Sequence, residues 1–369
     1  MCDLLERRFV RVYVVPGAVF QSVMVGGGYG TGREIVEYFT SYGAAGGLLA
    51  IGTAYVVTAV VLAVTFEFSR LYAEFDYRGF FKRLIGSGWI AFEVLVILLF
   101  LLILAVLASA AGNILRDNLG MPYVGGLAIL LGVVGVLTFF GRELIEKVLT
   151  FWSAVLYATF IAFFMQVFAS DNVSLSNAFA VGDVESGWLT SGLKYALYNL
   201  AIAPLLLYVV RGIETRGEAL RSGAVAGVIA LAPALLFHFA FLTARPGILD
   251  EAIPAYWMLG QLGLVAMTAV FSVVLFGTFI ETGAGMLQGI NERIDAYLEE
   301  SRGEGLSPMM HASIAVVAIL LSAGLSLVGI TSLIAKGYGT MSWGFLLVYV
   351  IPLLTIGVYR LVKYRPPET

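Results

Sequence analysis

The sequence predicts an all-α integral membrane protein of ten spanning helices, arranged as a 5+5 inverted repeat with the first helix of each half broken. Three observations predict it. The 369-residue chain is 60% hydrophobic and 13% charged, with a mean hydropathy of +0.92, whereas soluble domains carry about 25% charged residues. Lysine and arginine fall almost wholly on one predicted side of the membrane. Helix breakers, the glycines of 26–32 and Pro204, interrupt two apolar runs at corresponding places.

In chain order the spans read Val12–Tyr42, Ala44–Phe68, Trp89–Ala111, Tyr123–Phe140 and Glu143–Phe168, then Trp188–Val210, Ser222–Thr243, Tyr256–Leu287, His311–Leu333 and Met341–Leu361. About 20 residues cross a bilayer, so the first run is too long for one simple span. Arg7, Arg8 and Arg11 precede it as in a signal peptide, but no small-x-small cleavage site follows a short apolar core, and a retained span is expected. The longest external loop, Ala169–Gly187, joins the halves and carries a glycosylation-type triplet, Asn172-Val173-Ser174, of little weight. The charged segment Asn291–Ser307 reads as a solvated connector.

Cytoplasmic ends of membrane helices hold the excess of Lys and Arg. With the N-terminus inside, 17 of these residues fall on inner ends and four (Arg116, Lys194, Arg245, Lys336) on outer ends, with Arg33 inside a span. Removing any one span scrambles this bias. Ten spans with both termini cytoplasmic in the cell membrane follow, and two halves of five must run in opposite directions: 12–168 and 188–361 within one transmembrane domain. A net charge of −3 and a pI near 5.5 give no reason to expect a nucleic-acid partner. The expected partners are the lipid bilayer and a small-molecule substrate. A single cysteine, Cys2, excludes an intrachain disulfide and a cysteine metal cluster.

The stretch Val25-Gly26-Gly27-Gly28-Tyr29-Gly30-Thr31-Gly32-Arg33-Glu34 concentrates the chemistry. Each glycine in a helix interior costs about 1 kcal/mol relative to alanine, so the helix is expected to open here. Open backbone at membrane depth survives only inside protein or against a watery cavity. The stretch is not a nucleotide loop, since G-K-[ST] and the G-x-G-x-x-G spacing are both missing. Its freed N–H groups suit an anionic group such as a substrate carboxylate, and its freed carbonyls suit Na⁺ or an amine. Close helix packing is the structural alternative. Gly26, Gly27, Gly28, Tyr29, Gly30, Thr31 and Gly32 are therefore candidate substrate ligands. Arg33 and Glu37, four apart, can pair on one helix face; with Glu34 they are gate candidates, or else ions that hold the half-helix against its neighbours.

Span 6 carries Tyr198, Asn199 and Pro204, and Tyr198 and Asn199 join the substrate candidates. Interrupted segments at matching places in inverted halves point to a transporter site; a plain proline kink is the alternative. In span 8, Thr278, Glu281 and Thr282 share a face. Their hard oxygens suit Na⁺, the carboxylate can instead carry H⁺, and hydroxyls bonded to their own helix are the alternative. Glu93 reads as snorkelling, His238 as a bonded core histidine, and Asn113, Gln166 and Gln261 as interhelical hydrogen-bond partners. Tyr29, Tyr195, Tyr198 and Tyr208 can line a pocket.

Two inverted fives with broken first helices resemble the LeuT fold. The phrase Gly26-Gly27-Gly28-Tyr29-Gly30-Thr31-Gly32-Arg33-Glu34-Ile35 is similar to the first-helix signature of the bacterial YkvI-like membrane proteins, within the amino acid–polyamine–organocation superfamily. The resemblance covers the whole chain by topology and this stretch by motif. It implies alternating access around a site between spans 1, 3, 6 and 8, with an ion between first-helix carbonyls and span 8 hydroxyls. Carried over, that points to Val25–Gly28, Thr278 and Thr282; Glu281 departs from the usual hydroxyl pair and keeps H⁺ open beside Na⁺. The expectation is a secondary transporter of an amino acid or related amine or carboxylate, needing no cofactor beyond such an ion. A metal or nucleobase carrier of the same fold and a transporter-fold sensor are the alternatives. An intramembrane enzyme is not expected, as no H-E-x-x-H and no intramembrane Gly-Asp pair occur.

Overall fold

Among its described residues, 8–140, 142–170, 183–303 and 305–364, the computed structural model is helical and contains no β-strand. The triplet at 172–174 lies outside them. Helix α1 (Val10–Met24) leads to the break, which holds one turn, α2 (Gly27–Gly30), and the short α3 (Arg33–Tyr38). Then follow α4 (Gly43–Tyr72), α5 (Tyr77–Ile85), α6 (Trp89–Leu119), α7 (Tyr123–Phe140) and α8 (Arg142–Ala169). The second part comprises α9 (Trp188–Leu200), a 3₁₀ segment (Ala203–Val210), α10 (Arg216–Leu242), α11 (Pro254–Gln261), α12 (Val265–Arg302), α13 (Pro308–Ser326) and α14 (Ile330–Lys363).

Six helices among the described residues are long and apolar enough to cross a membrane, or seven if the bent pair Trp188–Leu200 and Ala203–Val210 is one span. Their outward faces are apolar. Val94, Leu98, Val136, Met165, Val273, Leu320 and Leu347 are exposed, as expected where the solvent is lipid and backbone polar groups are satisfied within helices.

Small residues set the packing. Association of helices in lipid depends on close van der Waals contact, and Gly223 of α10 lies against the backbone of Ala63 on α4, while Gly192 of α9 lies against that of Ala50. A Cβ on Gly17 of α1 would stand 2.7 Å from Ala226 Cα of α10. These contacts clamp α1, α4, α9 and α10 together. Local chemistry marks the ends. Asp76 caps α5 by accepting from Gly79 N at 2.8 Å, and Thr215 and Glu218 form a reciprocal capping box on α10. The buried face of α5 stacks Phe81 on Phe92 of α6, ring centres 3.9 Å apart.

Asp183 closes the start of α4. It accepts from Ala44 N at 2.9 Å and from Arg245 at 2.7 Å, and Gly43, at φ +87°, leaves room for it. The Ala44 amide and then Arg245 hold the Asp183 carboxyl below its usual range. A depressed acid stabilises the fold fully above its unfolded pKa, about 3.9, and that contribution is lost as pH falls through the lower folded value. Asp183→Asn is expected to lower the apparent Tm at neutral pH and to flatten its decline below about pH 4, as read by thermal shift across a pH series.

The structure corrects several sequence expectations. The run Tyr256–Leu287 is not one helix: Gly263, at φ +68°, divides α11 from α12. The region Asn291–Ser307 is largely a continuation of α12, with Arg293 buried inside the protein. Span 9 ends at Ser326, because Gly329 turns the chain at φ +89°. Glu93 does not snorkel. It is buried, accepts from Arg293 at 2.9 Å and from Tyr77 OH at 3.2 Å, and has Arg78 at 3.9 Å. Asn113 bonds to Ser109 O and Arg116 of its own helix rather than across helices. Tyr208 faces outward. His238 is buried and bonded to Thr40 and the Ala44 carbonyl, as expected for a core histidine.

Candidate functional site

The first break forms where the glycines remove the steric bar to irregular backbone. After Met24 the chain leaves the helix at Val25 (φ −77°, ψ 66°), and Gly26 N donates to Met24 O at 2.8 Å. One turn follows, closed by Gly30 N donating to Gly26 O at 2.8 Å. Gly32 then takes φ +81° and starts α3 in a new direction. Thr31 fastens the turn: its hydroxyl donates to Gly28 O at 2.7 Å and accepts from Arg33 N at 3.2 Å. Its carbonyl accepts from Ala255 N at 3.0 Å, docking α11 against the break.

The second break lies beside the first. Helix α9 gives way at Ala201–Ile202 to the 3₁₀ segment, bent by 59° and carrying Pro204 in its first turn. Proline cannot donate to the preceding turn and clashes with it. Tyr198, on the last turn of α9, donates its hydroxyl to the Glu34 carboxylate. Asn199 is buried and spends its amide on Tyr195 O of the same helix, at 2.9 Å.

Glu34 is the residue that joins the two breaks. It is 4% exposed and folds back over the turn, with the Tyr29 backbone amide facing it. A Cβ on Gly28 would overlap the carboxylate, so glycine at 28 is what admits it. The carboxyl group at the opened backbone is thus supplied by the chain itself. Around it stand Tyr198 stacked on Tyr338 (4.7 Å), Tyr38 (5.7 Å from Tyr198) and Tyr195, which packs on Phe39 at 4.6 Å. Among the described residues, the buried hydroxyls of Tyr29 and Tyr195 have no hydrogen-bond partner.

Arg33 turns the opposite way. It donates to Leu249 O at 2.6 Å, to Glu251 O at 3.1 Å and to Glu37 at 2.9 Å, so the Arg33–Glu37 pair straps α3 to the segment before α11. Glu34 and Arg33, read together from the sequence as gate candidates, therefore work on different faces. Helix α12 runs along the first break, with Leu275 against Gly30 and the methyl of Thr282 against Gly26. Thr278 donates to Val274 O at 2.9 Å, a carbonyl that also accepts from Trp152 of α8 at 2.9 Å. Glu281 is half-buried on the same helix.

Sequence reasoning missed Tyr38, Tyr338 and Trp152. No local signal distinguishes these aromatics from ordinary packing; only the fold brings them to the breaks. Toward one end of the bundle a cavity of about 480 Å³ opens between Leu205 of the 3₁₀ segment, Phe100 of α6, and Gly285, Met286 and Arg293 of α12. It connects the region of the second break with the Glu93–Arg293 ion pair.

Comparison with known proteins supports the architecture. No protein-family model matches the chain. It is 26% identical over 287 residues to the uncharacterised membrane protein YkvI of Bacillus subtilis (strain 168), covering 76% of this chain and 80% of that one. Among solved structures it resembles a substrate-bound, outward-open Na⁺-coupled sialic acid symporter (TM-score 0.64, 12% identity, 96% and 90% of the chains covered). It also resembles MhsT in complex with L-phenylalanine (0.58, 15%, 97% and 97%) and the manganese transporter of Eremococcus coleocola (0.58, 14%, 94% and 78%). With its two broken helices packed side by side, the chain is similar in sequence to YkvI and shares the LeuT-type fold of these solved structures.

Proposed function

We propose that the protein is a secondary transporter that moves a small solute, an amino acid or a related amine or carboxylate, across the cell membrane by alternating access coupled to Na⁺ or H⁺. The observation that carries this reading is the contact between Glu34 at the first break and Tyr198 at the second. Half-helices that meet through buried polar groups form a site that each part of the bundle can open or close. Substrate contacts are assigned to 26–32 and Tyr198, and the coupling ion, Na⁺ or H⁺, to polar groups at or beside the first break. The ten-span, inverted-half topology belongs to the same reading. It adds the shorter apolar helices Val10–Met24, Tyr123–Thr138 and Val155–Ala169 to the long ones, with both termini cytoplasmic.

The test is uptake by purified protein in liposomes, with a panel of amino acids, amines and carboxylates under imposed Na⁺ and H⁺ gradients. Accumulation of at least one solute is expected. Neither uptake nor binding across the panel would overturn the reading. Within the same assay, Gly28→Ala is expected to lower uptake about tenfold or more, equivalent to about 1.4 kcal/mol. The added methyl displaces Glu34 from the turn, but the obstructing atom ends a flexible side chain, so the apparent Tm should barely move.

A further inference from the structure

Glu34 is a buried carboxylate with no cation beside it among the described residues. The groups around it come from every side and are neutral or hydrogen-bond donors: the Tyr29 amide and ring from α2, Tyr38 from α3, Tyr195 and Tyr198 from α9, and Tyr338 from α14. Among the described residues no arginine, lysine or histidine acts on it. Arg33 is spent on two carbonyls and Glu37. His238 of α10 is bonded to Thr40 and Ala44. Lys194 of α9 lies near Trp343, and Lys336 of α14 is exposed.

An ionised carboxylate in a dry interior without a paired charge is too costly to persist, and such a group takes up a proton. The neutral carboxyl keeps its contacts, because a tyrosine hydroxyl both donates and accepts. Of the oxygens that would hold Na⁺, that of Thr282 is turned away, since its methyl and not its hydroxyl faces Gly26.

We propose that the coupling ion is a proton and that Glu34 carries it. This rests on the transporter reading above. When the site opens to one side, the Glu34 carboxylate takes a proton from water there, forming one O–H bond; closure places the neutral carboxyl against Tyr198 and the Gly28 turn. Opening to the other side returns the proton to water. No electrons move and no further reactant is needed. Tyr198 acts as a positioning residue, holding the carboxyl at the junction of the two half-helices.

The proton itself serves as the probe, so no solute is required. Infrared difference spectra of the purified full-length protein across a pH series should show a protonated-carboxyl band that is lost in Glu34→Gln. Tyr198→Phe, which keeps the carboxyl but removes its hydroxyl partner, should move that band in frequency, and it covers the case in which Glu34→Gln fails to fold. Replacing choline chloride with sodium chloride should change neither the band nor the apparent Tm. A carboxyl spectrum unchanged in Glu34→Gln, or a band unmoved in Tyr198→Phe, overturns the proposal. So does a saturable Na⁺ stabilisation of the wild type that disappears in Thr278→Ala. The outcomes separate cleanly: solute uptake driven by Na⁺ alone removes the proton proposal and leaves a transporter, whereas a titrating Glu34 band with neither uptake nor binding of any solute removes the transporter reading.

Discussion

Arg293→Met is expected to lower the stability of the folded protein by about 3 kcal/mol, the lower end for breaking a buried ion pair, and the apparent Tm by roughly 6 °C. The reason is the charge it leaves behind. Glu93 is 7% exposed and Arg293 8%, and they meet at 2.9 Å between α6 and α12. Arg78 approaches Glu93 only to 3.9 Å and is also engaged with Glu300 at 3.4 Å. Removing Arg293 strands the carboxylate in a place where its hydration is poor. The neighbouring cavity softens the penalty, which is why the lower end of the range applies. Glu93→Leu combined with Arg293→Met should recover most of the loss, since replacing both members of a buried pair with apolar groups is often neutral. Thermal-shift measurement of both singles and the double variant checks this: strictly additive losses would show that the two residues do not act as a pair.

Gly32→Ala is the second large effect, with an expected loss of about 2–3 kcal/mol. Gly32 stands at φ +81°, where a side chain costs about 1–2 kcal/mol against the following carbonyl. Its Cβ would also stand 2.6 Å from Cε2 of the Phe241 ring and closer still to Cζ, with Ala255 N at 3.5 Å on the α11 side. Phe241 is fully buried, and its ring must shift within close-packed surroundings. A misdirected α3 also moves Glu34 and Arg33. Loss of thermal stability together with loss of uptake is therefore expected, in contrast to Gly28→Ala, where uptake alone falls. Equal stability of wild type and Gly32→Ala would show that the left-handed turn is not needed to start α3.

Much of the site region was readable before any coordinates. Five glycines in seven positions, followed by Arg33-Glu34, announced the first break, because glycine cost and buried charge are local properties. Pro204 announced the second for the same reason. The pairing of Arg33 with Glu37 follows from helical spacing alone. What was not readable is direction. Glu34 and Arg33 are adjacent in sequence, yet one faces the tyrosines and the other the segment before α11, and only the angle of α3 after Gly32 decides that. Asn113 was expected to bond across helices because an amide in an apolar run needs a partner; its own helix supplied Ser109 O. The division between α11 and α12 was missed because Gly260 and Gly263 sit in a run whose hydropathy alone reads as continuous helix.

By itself the sequence determined that this is a helical membrane protein, where its helices open, and which residues near the openings carry charge or hydroxyls. These follow from composition and from single-residue backbone energetics. Only the tertiary structure decided that the two openings touch, that the Glu34 carboxyl folds over the first of them, and that Glu93 and Arg293, 200 residues apart, share a buried pair. Those facts depend on distances between segments remote in sequence, which the small-residue packing of α1, α4, α9 and α10 sets and which no local pattern of residues encodes.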